Sequence, residues 1–307
     1  MTLARPFGDT LVAHVAERES QIVLGLDPNP RALWPVSALA GTGTGGPAEA
    51  AGRAVLAHCR ALIDATAQAC VAVKLQLARF ELLGVVGRTV LGEVAAHARS
   101  AGLLVIADGK RGDIDVTAQA YAGALLGGVQ TPFGAIEGLG ADLVTVNPLM
   151  GRDSLAPFVT AAREAGAGVL VLVRTSNPGA EDVEDLQLTG GEAVWERLAA
   201  IVDELGAPEV GDSGLSDVGA VIGATAPGHL ARARELMANA TFLLPGVGAQ
   251  GGRVEDLAPA FAPGPAGGLI AASRSIAEAH LASGGQPAVA ARAEAERLRE
   301  TAWALAT

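Results

Sequence analysis

Residues 103–117 read LLVIADGKRGDIDVT. An aliphatic run from Leu103 to Ala107 ends at Asp108, and five charges follow within eight residues: Asp108, Lys110, Arg111, Asp113 and Asp115. A short run that is apolar on both faces fits a parallel strand covered by helices. A polar cluster directly after it fits the C-terminal end of such a strand, where α/β barrels carry their chemistry.

Seven further runs share this character: QIVLGLD (21–27), VAVKLQL (71–77), LVTVNP (143–148), GVLVLV (168–173), GAVIGA (219–224), FLLPGV (242–247) and GLIAAS (268–273). Ala/Leu/Arg/Glu-rich segments with helical spacing lie between or after them, at 49–69, 79–101, 153–166, 192–205, 228–239, 254–262 and 286–306. Regular alternation of strand and helix signals a parallel α/β fold. Eight units in 307 residues predict a closed (β/α)8 TIM barrel, a single domain over 1–307, with loop insertions near 41–50 and 177–191.

Composition narrows the partners. The net charge of −11 disfavours a nucleic-acid surface, which needs a basic stripe. A few local cations and backbone N–H groups can still hold a phosphate. Cys59 and Cys70 form no CxxC or Cys/His cluster, so reduced, buried thiols are expected and a structural zinc is not. The start, MTLARPFGDTLVAHV, has no long apolar core and no apolar run approaches about 18 residues, so a cytoplasmic chain without membrane association is expected.

Seven of the eight strand ends carry polar groups. They are Asp27, Lys74, Asp108 with Lys110, Asn147, Arg174-Thr175-Ser176, the loop PGVGAQGG (245–252), and Ser273-Arg274-Ser275. Side chains two apart in a strand point the same way, so Asp108 and Lys110 are expected to share one mouth. Lys74 can join from the neighbouring strand, and Asp113 lies past Gly112, where the chain can turn. The expected product is an alternating Lys–Asp–Lys–Asp array. Opposite charges about 4 Å apart interact by about 4 kcal/mol at an effective dielectric near 20. A lysine fixed in this way can stabilise a developing carbanion and then protonate it. A carboxylate fixed beside a substrate carboxylate repels it until carbon dioxide leaves.

The last two strands point to a phosphate. PGVGAQGG can offer backbone N–H groups through Gly248 and Gly251, and SRS followed by IAEAHLA places Arg274 at a helix start. Barrels commonly bind phosphate after their seventh and eighth strands. A small phosphate ester is the expected ligand.

Taken together, Asp-x-Lys-x-x-Asp-Ile after the third strand, a lysine on the second, and PGVGAQGG followed by SRS resemble the orotidine 5′-phosphate decarboxylase family. The resemblance runs from LGLDPNP (24–30) to SRSI (273–276), and DGKRGD with TVNPLMG (145–151) is similar to its longer bacterial branch. It implies decarboxylation of orotidine 5′-monophosphate to uridine 5′-monophosphate, without metal or organic cofactor. It implies that Lys110 protonates C6, that Asp108 sits against the substrate carboxylate, and that Lys74 completes the charge network and contacts the ribose. Asp27 would bind a ribose hydroxyl, Ser176 would read the pyrimidine edge, Gln250 would bridge base and phosphate, and Arg274 would hold the phosphate. Asp113 and Thr117 would reach the neighbouring subunit's site, which implies a homodimer with shared sites.

Arg152 and Arg174 are read as rim charges or dimer contacts, and Trp34, Trp195 and Trp303 as packing residues. None of His14, His58, His97, His229 and His280 is read as a general base. Two rival functions remain. A magnesium-dependent keto-sugar phosphate decarboxylase or aldolase relative would carry an acidic residue where Lys74 stands. A non-catalytic phosphate-binding barrel would need no alternation of Lys and Asp.

Overall fold

The computed structural model describes residues 6–225, 227–248 and 251–307. In chain order the strands are β1 (Ile22–Leu26), β2 (Ala72–Gln76), β3 (Leu104–Arg111), β4 (Val129–Thr131), β5 (Gly134–Ile136), β6 (Leu143–Val146), β7 (Gly168–Arg174), β8 (Val218–Ile222), β9 (Phe242–Pro245) and β10 (Gly268–Ala272). Eight of them close a parallel barrel in the order β1-β10-β9-β8-β7-β6-β3-β2, while β4 and β5 form a separate antiparallel hairpin. All eight expected strands form, and the (β/α)8 architecture is as expected.

Strand alternation divides the core into two. Val23, Ala72, Leu104, Ile106, Leu143, Leu170, Leu243 and Leu269 fill the barrel interior. Their neighbours, such as Leu24, Val73, Val105, Val144 and Val171, pack outward against the helices. The interior is closed from below by a helix not singled out in the sequence, Phe7–Arg18. Its Phe7, Leu11 and Val15, four residues apart, lie on one face and join the interior cluster. With its lower end filled by apolar side chains, the barrel has its polar interior positions at the top.

Several segments differ from expectation. Segment 79–101 is interrupted between the helices Leu77–Glu81 and Gly84–Ser100. Segment 254–262 is a 3₁₀ helix, Val254–Phe261, with Pro259 inside it, and proline cannot donate to an α-helical ladder. Within 41–50, the chain enters the helix Pro47–Thr66, so the loop is shorter than expected. A helix over Asp115–Leu125 follows β3. Cys59 and Cys70 are free and buried, and burial pushes both thiols up, Cys70 to about 12. Trp34 and Trp195 are buried, and Trp303 packs against the interior cluster. Among the described residues no helix is long and apolar enough to cross a membrane.

Candidate active site

Strand register sets the site. Gly25 pairs with Lys74, Lys74 with Ile106, and Gln76 with Asp108. Leu104, Ile106 and Asp108 share the inward parity of β3, so Asp108 is the first polar residue above the apolar plug. Lys74 has the same parity as Ala72 on β2. Both charges therefore face the lumen, and both are nearly buried, at 4% and 7% exposure.

Lys74 Nζ lies 2.6 Å from Asp108 Oδ2, and Lys110 Nζ lies 2.5 Å from Asp108 Oδ1. Lys74 also stands 3.8 Å from Asp27 Oδ1 and donates to Gln76 Oε1 at 3.4 Å. Burial pushes the Asp108 carboxyl up, but the two flanking ammoniums more than offset this and hold it at about 2. The result is a carboxylate clamped between two cations, with Lys110 reaching furthest towards solvent.

Lys110 does not reach this position by plain alternation. Its φ is +47°, and the β3–β6 register shifts between Ala107 and Arg111. The chain turns at Lys110 rather than at Gly112. Bulges of this kind re-aim side chains beside functional sites. The Lys110 backbone N–H donates to Thr145 Oγ1, and that hydroxyl donates to Asp108 Oδ1.

These groups line a cavity of about 850 Å³ that also includes Asp27, Ser176 and Arg274. Of the expected site residues, Lys74, Asp108, Lys110, Asp27, Ser176 and Arg274 are thus brought together. Asp113 and Thr117 are not: Asp113 Oδ1 accepts the Ile114 N–H, and Thr117 is exposed on the first turn of the 115–125 helix. Gln250 lies outside the described residues. Gly248 and Gly251 adopt positive φ, but their amides bond within the loop, to Gly252 O and Gly248 O. They shape that loop and do not offer those N–H groups to an anion. Gly246 and Val247 reach the cavity wall instead.

Two glycines allow close approach. A Cβ on Gly25 would stand 1.7 Å from Ser273 Oγ, and one on Gly223 would stand 2.7 Å from Ser176 Cα. The first lets the β10 end pack against β1 beside Arg274. The second lets the Ser176 loop cross the end of β8.

Arg174 is not a rim charge. It is 6% exposed and forks onto Asp185 through Nε and Nη2 at 2.8 and 2.9 Å, while Nη1 donates to Thr175 O at 2.7 Å. Glu184 accepts both the Thr175 N–H and its hydroxyl. Segment 175–185 is therefore tied back onto β7, with Ser176 on the cavity side. Arg152 pairs at the surface with Glu204. His58 accepts the Trp34 N–H in a cavity behind β1, and burial lowers it to about 4.

Thr145 and Gln76 were missed in the sequence. Each had a signal. Thr145 is the polar residue in LVTV at the inward parity of Leu143, and Gln76 is two residues past Lys74. Asn147 also lines the cavity, while its side chain accepts the Leu149 N–H.

Comparison with known proteins bears on the family and the fold. Residues 20–292 match the model of the orotidine 5′-phosphate decarboxylase / HUMPS family. The orotidine 5′-phosphate decarboxylase of Deinococcus radiodurans is 50% identical over 216 residues, covering 70% of this chain and 74% of that protein. The enzyme of that name from Azoarcus sp. is 37% identical over 302 residues, 96% of this chain and 97% of that one. The solved structure of Leishmania donovani OMP decarboxylase superposes with a TM-score of 0.72 at 30% identity, covering 97% of this chain and 99% of that one.

Proposed function

The chain belongs to the orotidine 5′-phosphate decarboxylase / HUMPS family, and we infer from that premise that it is a carboxy-lyase converting orotidine 5′-monophosphate to uridine 5′-monophosphate in pyrimidine biosynthesis. The observation that carries this reading is the Lys74–Asp108–Lys110 array, with contacts of 2.6 and 2.5 Å, at the top of the barrel lumen.

The substrate's phosphate sits by Arg274 and the β9 loop, and its ribose by Asp27 and Lys74. Its pyrimidine edge faces Ser176. Its carboxylate then meets Asp108, and the two anions repel. The C6–carboxylate bond breaks, carbon dioxide leaves, and the electron pair stays on C6. The Lys110 ammonium stabilises that pair and donates a proton to C6, and the neutral amine recovers its proton from solvent. Preorganised charge of this kind needs little rearrangement as the reaction proceeds.

In this reading Lys74 fills the place where a magnesium-dependent relative would need an acid, so the reaction is metal-free. Asp113 and Thr117 serve the site of a second subunit in a homodimer. The exposed apolar residues around them, Ile114, Val116, Leu149 and Met150, support that arrangement.

The test follows the fall in ultraviolet absorbance of orotidine 5′-monophosphate, with and without EDTA. Turnover unchanged by EDTA is expected. Turnover abolished by EDTA and restored by magnesium would favour the metal-dependent reading. A wild-type chain inert toward this substrate would refute the assignment.

A further inference from the structure

Between β3 and β6, Ala107 stands opposite Val144, and Arg111 opposite Val146. Three residues of β3, Asp108, Gly109 and Lys110, therefore face one residue of β6, Thr145. Such an excursion leaves backbone groups without ladder partners. Thr145 fills the gap with its side chain. It is 1% exposed, and its Oγ1 accepts the Lys110 N–H at 2.9 Å while donating to Asp108 Oδ1 at 2.9 Å. One hydroxyl thus uses its proton on the carboxylate and a lone pair on the amide.

Simple packing does not call for this residue. Leu143 on the same strand and Leu170, the register partner of Thr145 on β7, are buried aliphatics of the barrel interior. A valine would match threonine in shape and in strand preference. The hydroxyl's two partners both belong to the charged array. Lys110 also holds φ +47°, a conformation that non-glycine residues keep when their surroundings fix it.

We propose that Thr145 is a positioning residue for the decarboxylation, whose single hydroxyl fixes both the Asp108 carboxylate and the Lys110 backbone and so aims the Lys110 ammonium at the carbon that receives the proton. The proposal rests on the reading of this site as a decarboxylase. Thr145 acts through its two neighbours. Base, ribose and phosphate contacts come from other strands, so its effect falls on turnover rather than on substrate affinity.

The test compares Thr145→Val, which keeps shape and loses the hydroxyl, with Thr145→Ser, which keeps the hydroxyl and loses the methyl. Thr145→Val is expected to lower kcat about 10- to 100-fold, equivalent to about 1.4 to 2.7 kcal/mol at 1.36 kcal/mol per tenfold. KM and the affinity for uridine 5′-monophosphate should stay within about threefold, since uniform binding is untouched. Thr145→Ser should recover most of the lost turnover. Hydrogen exchange at the Lys110 amide should quicken in the valine variant and return towards wild type in the serine variant.

An active wild type whose valine variant turns over equally fast overturns this proposal alone. So does a serine variant as slow as the valine one with a matching fall in melting temperature, which would mark a packing role. A wild type inert toward orotidine 5′-monophosphate overturns both this proposal and the reaction it rests on.

Discussion

Replacing Lys110 by glycine separates catalysis from folding. The Lys110 side chain is 43% exposed and its ammonium meets Asp108 at 2.5 Å. Solvent screening limits such a half-exposed pair to about 1 kcal/mol. Against that loss stands the backbone, since φ at Lys110 is +47°. A left-handed conformation costs a non-glycine residue about 1–2 kcal/mol, and glycine removes that cost. Glycine also adds about 0.5–1 kcal/mol of unfolded-chain entropy. The net change lies within about 1 kcal/mol of zero, or a few degrees in Tm. Lys110→Ala loses the same ion pair without backbone relief, and with the glycine entropy cost subtracted it should melt level with Lys110→Gly or up to about 2 °C below it. Activity should behave differently. Loss of a general acid costs about 10²–10⁴ in rate, and loss of an electrostatic stabiliser costs about as much again. Both variants should therefore turn over at least about 10⁴-fold more slowly in the absorbance assay. Turnover of Lys110→Gly within tenfold of wild type would refute the proton-donor assignment. A glycine variant melting well below the alanine one would refute the backbone reasoning.

Three further outcomes are expected. The Asp108 carboxyl is held at about 2 against an ordinary 3.8, so its contribution of about 2 kcal/mol is present above pH 4 and lost as pH falls through 2; Asp108→Asn should flatten that part of an acid-unfolding profile. Arg174→Gln should loosen the tie between β7 and segment 175–185 and raise KM about tenfold or more, with a smaller change in kcat; an unchanged KM would show that the Ser176 loop stands without it. Mixing inactive Lys110→Ala and Asp113→Ala chains should restore about a quarter of wild-type activity, because half of randomly paired dimers then hold one intact site; no recovery after confirmed subunit exchange would exclude shared sites.

The barrel was legible because each strand is a short two-sided apolar run, and seven of the eight end in polar groups. Lys74, Asp108, Lys110, Asp27, Ser176 and Arg274 were legible as strand-end residues, and one cavity gathers them. What was hidden depends on contacts between distant segments. The helix Phe7–Arg18 carries its apolar face at Phe7, Leu11 and Val15, but the need for a plug arises only once the barrel is closed. Arg174 looked like a rim charge because its partners, Glu184 and Asp185, lie about ten residues on, in a segment read as an insertion. The hairpin at 129–136 hid in a stretch too short to show strand periodicity. The glycine loop was read as a set of free amides, although two of those amides close the loop on itself.

The opening motif is divided by its backbone. Lys110 and Asp115 both have φ of +47°, and they bracket Arg111 to Ile114. The first turn brings the Lys110 ammonium onto Asp108, inside the lumen. The segment between the turns carries Asp113 away from that carboxylate, towards exposed Ile114 and Val116. In a straight strand Asp108 and Lys110 would face the mouth, while Arg111, Asp113 and Asp115, of the other parity, would face the covering helices. The bulge opposite Thr145 and the two left-handed residues leave one carboxylate between Lys74 and Lys110, and keep the second motif aspartate out of the cavity that this array lines.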